Sequence, residues 1–141
     1  MGVDKMVNIG ILGVANIARK YAIKAFLNLE KVDKVYIASR TASKAKIVAE
    51  EFNVLFKESY DALIASADVD AIYIPLPIGL HEEWAIKCAN AGKHIICEKS
   101  ISDSYLSVQK IIEACRENDV VLFENFMCEY HPQHKTVLSL I

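Results

Sequence analysis

Short, unbroken apolar runs alternate with helix-patterned stretches along the whole chain, and this limits the possible folds more than any other feature. Val7 to Leu12 is apolar and β-branched, and Val35-Tyr36-Ile37-Ala38 follows within Lys34 to Ser39. Then come Ala71 to Ile74, stopped by Pro75, His94 to Cys97, and Val120 to Glu124, with a short edge strand expected at Val54 to Phe56. A strand wetted on one face alternates polar and apolar residues; these do not, so helices are expected on both faces. Between them, Ile17 to Leu29 repeats Ile17, Tyr21 and Ala25 at helical spacing, with Ala18, Ala22 and Phe26 alongside. Ser43 to Phe52 is rich in the helix formers Ala, Lys and Glu. Ser59 to Ser66 reads as a helix with Ser59 as its N-cap, and His81 to Ala91 as one closed by Gly92. A long helix is expected from Ser102 or Asp103 to Asn118. This order predicts an α/β fold with a doubly wound parallel sheet.

The totals exclude several function classes. At 141 residues the chain is one domain in size, and its 53% hydrophobic content can fill a core. A charged fraction of 24% does not suit a disordered chain. With a net charge of −2 and no basic stripe, nucleic-acid binding has no electrostatic support. No apolar run approaches the roughly 20 residues of a membrane helix, and Met1-Gly2-Val3-Asp4-Lys5 lacks the apolar block of a secretion signal. Gly2 is not read as a lipidation site, because Val7 stands where Ser or Thr is usual. Cys88, Cys97, Cys115 and Cys128 form no Cys-x-x-Cys pair and sit in apolar settings. They read as buried small side chains in a reducing, cytoplasmic setting, with no metal site expected.

The end of the chain departs from the pattern. His131-Pro132-Gln133-His134 opens a new helix, Lys135 to Ile141, with neither cap nor polar tail. The expected division is a nucleotide-binding domain at 1–128 and, at 129–141, the start of a connection into a further domain. The alternative is a terminal helix docked on the sheet.

Five segments carry candidate chemistry. Gly10-Ile11-Leu12-Gly13-Val14-Ala15-Asn16-Ile17-Ala18 runs from a strand into a helix. A dinucleotide site needs a tight turn there, and backbone close enough to hold a pyrophosphate at the helix N-terminus. Gly13 suits the turn, and Ala15 and Ala18 are small where glycine is commoner. At the end of the second strand stands Ser39-Arg40-Thr41, with no acidic residue to hold ribose hydroxyls and repel a 2′-phosphate. A hydroxyl and a guanidinium, helped by Lys44, suit that phosphate, so NADP is preferred over NAD. Otherwise Arg40 stacks on adenine or is simply solvated.

Ile74-Pro75-Leu76-Pro77-Ile78-Gly79-Leu80-His81 forms a stiff turn that can wall a cofactor crevice. His81 either points into that crevice or serves to cap and pack; Trp84 reads as packing. Glu98-Lys99-Ser100 ends a strand at the edge where open α/β sheets bind ligands. The Lys99 ammonium could hold and protonate a carbonyl oxygen as hydride arrives. Glu98 could orient it or contact the nicotinamide. Glu124-Asn125-Phe126-Met127, then Tyr130-His131-Pro132-Gln133, follow the last strand at the same edge. Asn125 could reach cofactor or substrate, while Tyr130 and His131 line a pocket or anchor the exit from the domain.

In order and content these segments, with Ala91-Gly92-Lys93-His94 leading into Glu98-Lys99, resemble the Gfo/Idh/MocA family of NAD(P)-dependent oxidoreductases over Asn8 to Ile141. The resemblance is nearest to sugar oxidoreductases, including ketoreductases of nucleotide-linked sugars. It implies a Rossmann-type domain, with Lys99 as the catalytic residue. It places pyrophosphate near Gly13, Ala15, Asn16 and Ile17, the adenosine ribose near Ser39 and Arg40, and Leu76, Pro77, His81 and Glu98 along the crevice. Ser100 stands where the family usually has proline, and the family's second α/β domain has no counterpart here. The expected function is the cofactor-binding half of an enzyme moving hydride between nicotinamide and a sugar or nucleotide-sugar. Such a half is expected to turn over little by itself and to self-associate through apolar surface. The rivals are a non-catalytic NAD(P)-binding sensor or regulatory module, and a plain interaction domain.

Overall fold

The computed structural model of the chain describes residues 6–140. The expectations for Met1 to Lys5, Gly2 included, and for Ile141 lie outside the described residues. Six strands form one parallel sheet: β1 (Val7–Leu12), β2 (Val32–Ala38), β3 (Leu55–Phe56), β4 (Ala71–Ile74), β5 (His94–Glu98) and β6 (Leu122–Asn125). Their spatial order is β3-β2-β1-β4-β5-β6, so the winding reverses beside β1. The doubly wound sheet expected from the apolar runs is the one that forms.

Helices cover the two faces separately. The first, α1, opens with a π-helical turn, Ala18–Ala22, and continues as Ile23–Leu27. With α2 (Ala42–Phe52) it packs on one face, against Ile9, Ile11, Val35, Ile37 and Tyr73. On the other face α3 (Tyr60–Ile64), α4 (His81–Asn90) and α5 (Tyr105–Glu117) enclose Leu12, Tyr36, Ile72, Ile74, Ile95 and Cys97. Successive strand residues therefore serve opposite cores, and both must be apolar. At Gly10 an added Cβ would lie 2.7 Å from Ile72 Cδ1 and 3.2 Å from Leu63 Cδ2, so any larger residue would push those side chains aside.

Local chemistry sets the element ends. Ser59 Oγ accepts the Ala62 N–H at 3.0 Å, the cap expected there. Gly92, at φ +69°, closes α4 with its own N–H on Ala89 O and the Lys93 N–H on Cys88 O. Lys93 is buried because its ammonium donates to Ser66 O at 2.8 Å and Val69 O at 2.7 Å. Several boundaries shift. The long helix starts later than expected, because Ser104 is the residue whose hydroxyl accepts the Ser107 N–H. The last strand also starts later, since Asp119 turns at φ +52° and the Val120 N–H goes to Cys115 O. A final helix, α6 (Pro132–Leu138), begins before the expected Lys135, with Pro132 in its first turn and His131 capping the Gln133 N–H. No part of it is buried, so it is not docked on the sheet.

Three cysteines lie in the core between α4, β5 and α5, while Cys128 is exposed. Burial pushes the Cys88 and Cys97 thiols up to about 12 and raises that of Cys115. Thiolates are the reactive species. A thiol reagent near neutral pH should therefore modify Cys128 alone in the native chain and all four in urea. Rapid native labelling of a second cysteine would show that the core opens.

Candidate active site

The strand register brings the candidate residues into one row. Leu12 pairs with Ala38, Ile11 with Tyr73, Ile74 with Cys97, and Glu98 with Asn125. One step further along, Gly13, Ser39 and Pro75 end their strands level with Glu98 and Asn125. At about 4.8 Å per strand, Gly13 stands roughly 10 Å across the sheet from Glu98. Lys99 is the next residue, at the carboxyl edge beside the winding reversal, where such sheets bind ligands.

A cavity of about 270 Å³ opens at that reversal. Gly13, Ala15, Ser39, Arg40, Leu76 and Pro77 line it, and Lys44, Thr41 and Tyr60 share it. Gly13 has φ +100°, and a Cβ there would approach Leu76 Cδ2 and Tyr60 Oη to 3.2 Å each. Its bare backbone is what lets the turn after β4 close over the start of the first helix. Val14 and Ala15, which lead into the first helix, also line it, and the amides that begin a helix have no intrahelical partner. Ser39 is buried, and its Oγ accepts the Thr41 N–H at 3.4 Å. Arg40 and Lys44 bring two cations to the rim, and no carboxylate lines the cavity. Burial raises the Tyr60 phenol, partly offset by Arg40. Asn16 is exposed at the start of the first helix. These residues fit a dinucleotide: donors and cations for its phosphates, and glycine where its backbone must pass close.

A second, mostly apolar cavity of about 520 Å³ lies on the α1 side of β4, β5 and β6, with Tyr21, Phe26, Ile96 and Phe123 in its lining. Ile17 stands at one wall, and Glu98 and Asn125 at its polar end. Glu98 is buried, and its Oε1 accepts the Tyr73 hydroxyl at 2.6 Å and the Asn125 amide at 2.7 Å. Burial, then the Glu98 carboxylate, hold the Tyr73 phenol well above the usual range, so it stays a donor. Tyr73 was not legible as a functional residue. It sits in an apolar run, and only the register puts it beside Glu98.

Lys99 itself is exposed on the loop after β5, and its ammonium has no ion pair among the described residues. The Lys99–Ser100 peptide bond is cis. Glu124 fastens that loop from β6, its Oε1 accepting the Ile101 N–H at 2.8 Å. His81 is placed differently from a crevice-lining residue: its ring is buried and both nitrogens face backbone carbonyls. Trp84 packs edge-on to Tyr60 at 4.9 Å. Tyr130 is exposed and rests against Phe123 at 5.9 Å, while His131 caps α6. Among the described residues no cluster of His, Cys, Asp or Glu could hold a metal, and no helix is long and apolar enough to cross a membrane.

Comparison with known proteins gives consistent matches. Residues 7–126 match the model of the GFO_IDH_MocA group, described as an oxidoreductase family with an NAD-binding Rossmann fold. The chain is 35% identical over 137 residues to a dTDP-3,4-didehydro-2,6-dideoxy-alpha-D-glucose 3-reductase of Streptomyces violaceoruber, covering 97% of this chain and 40% of that protein. It is 37% identical over 133 residues to a D-xylose 1-dehydrogenase (NADP(+)) of Haloferax volcanii, covering 94% and 41%. KijD10, a 3-ketoreductase from Actinomadura kijaniata crystallised with TDP-benzene and NADP, superposes with a TM-score of 0.91 at 36% identity, over 96% of this chain and 43% of that one. The chain thus spans about 40% of the length of the curated relatives it matches.

Replacing Tyr73 by Phe keeps its edge contact with Phe26 but leaves Glu98 Oε1 with Asn125 alone. The variant should lose about 1–3 kcal/mol of stability in urea unfolding. A loss below about 0.5 kcal/mol, the scatter of ordinary surface changes, would show the bond to be unimportant.

Proposed function

The chain belongs to the GFO_IDH_MocA oxidoreductase family, and from that premise we propose that it is the cofactor-holding lobe of an NADP-preferring enzyme acting on a sugar or nucleotide-linked sugar. The observation that carries this reading is the cavity where Gly13 meets Ser39, Arg40 and Lys44 with no carboxylate. The first helix's free amides, from Ala15, Asn16 and Ile17, would hold the pyrophosphate. Ser39 and Arg40 would hold the 2′-phosphate, a guanidinium and hydroxyl pairing that a β2-end carboxylate would oppose. Leu76 and Pro77 would wall the crevice, and Glu98 and Asn125 would face the nicotinamide end. Bound there, the dinucleotide supplies or takes up hydride. Lys99 would hold the substrate oxygen with its ammonium, giving a proton to the carbonyl oxygen in reduction and receiving it back in oxidation. The names of the reductase and dehydrogenase relatives support a sugar-type substrate.

In this reading residues 1–128 form the nucleotide lobe and 129–141 begin the connection to a substrate-binding part. Apolar residues Met127, Tyr130, Leu138 and Leu140 are exposed on that side. We take the chain to self-associate there, and its core thiols to suit a reducing cytoplasm. Sedimentation should show dimers or larger species at micromolar concentration; a clean monomer throughout would contradict this.

Titration of the chain with NADPH and NADH, followed by nicotinamide fluorescence, tests the site. NADPH should bind more tightly. Arg40→Ala should weaken NADPH by about 10- to 100-fold, the worth of one charge-assisted contact, and leave NADH unchanged. Equal effects on both cofactors would remove the 2′-phosphate role. Lys99→Ala should leave both affinities nearly unchanged, since that amine serves the substrate and not the cofactor.

A further inference from the structure

Glu98 accepts two hydrogen bonds, and both fall on the same oxygen. Oε1 takes the Tyr73 hydroxyl at 2.6 Å from β4 and the Asn125 amide at 2.7 Å from β6. Oε1 acts only as an acceptor there, so both bonds stand whether or not the carboxyl is ionised. Oε2 has no partner among the described residues. No buried side-chain oxygen of those residues lacks a partner, so Oε2 is not sealed in. Glu98 as a whole is only 7% exposed, and it lines the apolar cavity. Its open oxygen is therefore presented to that cavity, whose other lining residues are Asn125 and apolar or aromatic side chains.

The register explains how Tyr73 reaches it. Tyr73 pairs with Ile96, and Glu98 lies two residues further along β5 on the same face. The phenol spans that step of roughly 6–7 Å and brings its hydroxyl to the carboxyl. A phenylalanine would fill the same space, edge-on to Phe26 at 5.6 Å, and stop short of Glu98. The hydroxyl thus adds one thing to an apolar strand, which is the bond to Oε1.

We propose that Tyr73 is a positioning residue: with Asn125 it pins Oε1 of Glu98 and so turns Oε2 toward the nicotinamide riboside half of a bound dinucleotide. This role rests on the cofactor reading above. That half offers two ribose hydroxyls and a carboxamide, each able to hydrogen-bond a carboxyl oxygen. The last torsion of a glutamate is broad by itself. Two donors on one oxygen, arriving from the strands on either side of β5, fix its direction before the ligand comes. An acceptor already held in place loses less freedom on binding.

The competing account has Tyr73 and Asn125 merely satisfy a buried carboxyl. Such a cluster would spread its donors over both oxygens, because each one left bare inside a protein is costly. Here one oxygen holds both donors and the other is left to the cavity. Asn125 is half-buried at the polar end of that cavity and can meet a ligand directly. Tyr73 is 2% exposed and its hydroxyl is already engaged, so its influence on a ligand passes through Glu98.

Calorimetric titration of the chain and of Tyr73→Phe with two ligands tests this. One is NADPH. The other is 2′-phospho-ADP, which keeps the adenosine, the 2′-phosphate and the diphosphate but lacks the nicotinamide riboside. Tyr73→Phe should weaken NADPH about tenfold, the worth of one hydrogen bond, and leave 2′-phospho-ADP within about twofold of the unaltered chain. Arg40→Ala, at the other end of the site, should weaken both. Equal losses for the two ligands in Tyr73→Phe would mean that the residue acts through the stability of the whole lobe, and would overturn the role. A folded Phe variant with unchanged NADPH affinity would overturn it as well. If Phe does not fold, a crystal structure of the unaltered chain with NADPH decides. Oε1 should keep both donors while Oε2 meets the nicotinamide riboside; an Oε2 turned away from the ligand overturns the role. An unaltered chain that binds neither ligand would refute the cofactor reading and the role with it, whereas binding of both without discrimination by the Phe variant refutes the role alone.

Discussion

Everything at the site depends on β1 ending level with its two neighbours while the chain winds away from it in opposite directions. Parallel pairing on both sides fixes the height of Gly13 against Ser39 and Pro75. The reversal leaves an opening there that no crossover covers. A glycine at φ +100° then lets Leu76 and Tyr60 approach the turn without closing it. Shifting either ladder by one residue would exchange the two cores and scatter the row.

Around that opening the chain buries polar groups and satisfies each of them. Among the described residues, no buried side-chain nitrogen or oxygen lacks a partner. Glu98 is held by Tyr73 and Asn125 and Ser39 by the Thr41 amide, while Glu124, exposed at the same edge, accepts the Ile101 amide. These bonds aim groups at the edge of the sheet from strands that are otherwise apolar. Lys99 is the exception, an exposed and unpaired amine at the end of a fastened loop.

Much of the fold was legible because its signals are local. Continuous apolar runs reported two-sided burial, Ser59 and Gly92 reported helix ends, and Pro75 reported a strand end. The boundaries that moved were those decided by competing local bonds, as at Ser104 and Val120, where several hydroxyls or turns were available. The π-helical turn at Ala18–Ala22 had no signal in the sequence. Of the site, Gly13, Ser39-Arg40 and the strand-end Glu98-Lys99 stood out by residue type and position along the chain. Tyr73 did not, and His81 was seen but its ring direction was not.

By itself the sequence determined where the strands lie, to within about two residues at their ends, that they are parallel and covered, and which end of each carries polar chemistry. Those properties follow from hydrophobic period and chain order, which are written residue by residue. Only the tertiary structure decided which side chains meet across strands: Tyr73 with Glu98, Glu124 with the Lys99 loop, His81 with two loops at once. Such pairings depend on register and on which face a side chain takes. Both emerge only when the whole sheet packs between its helices.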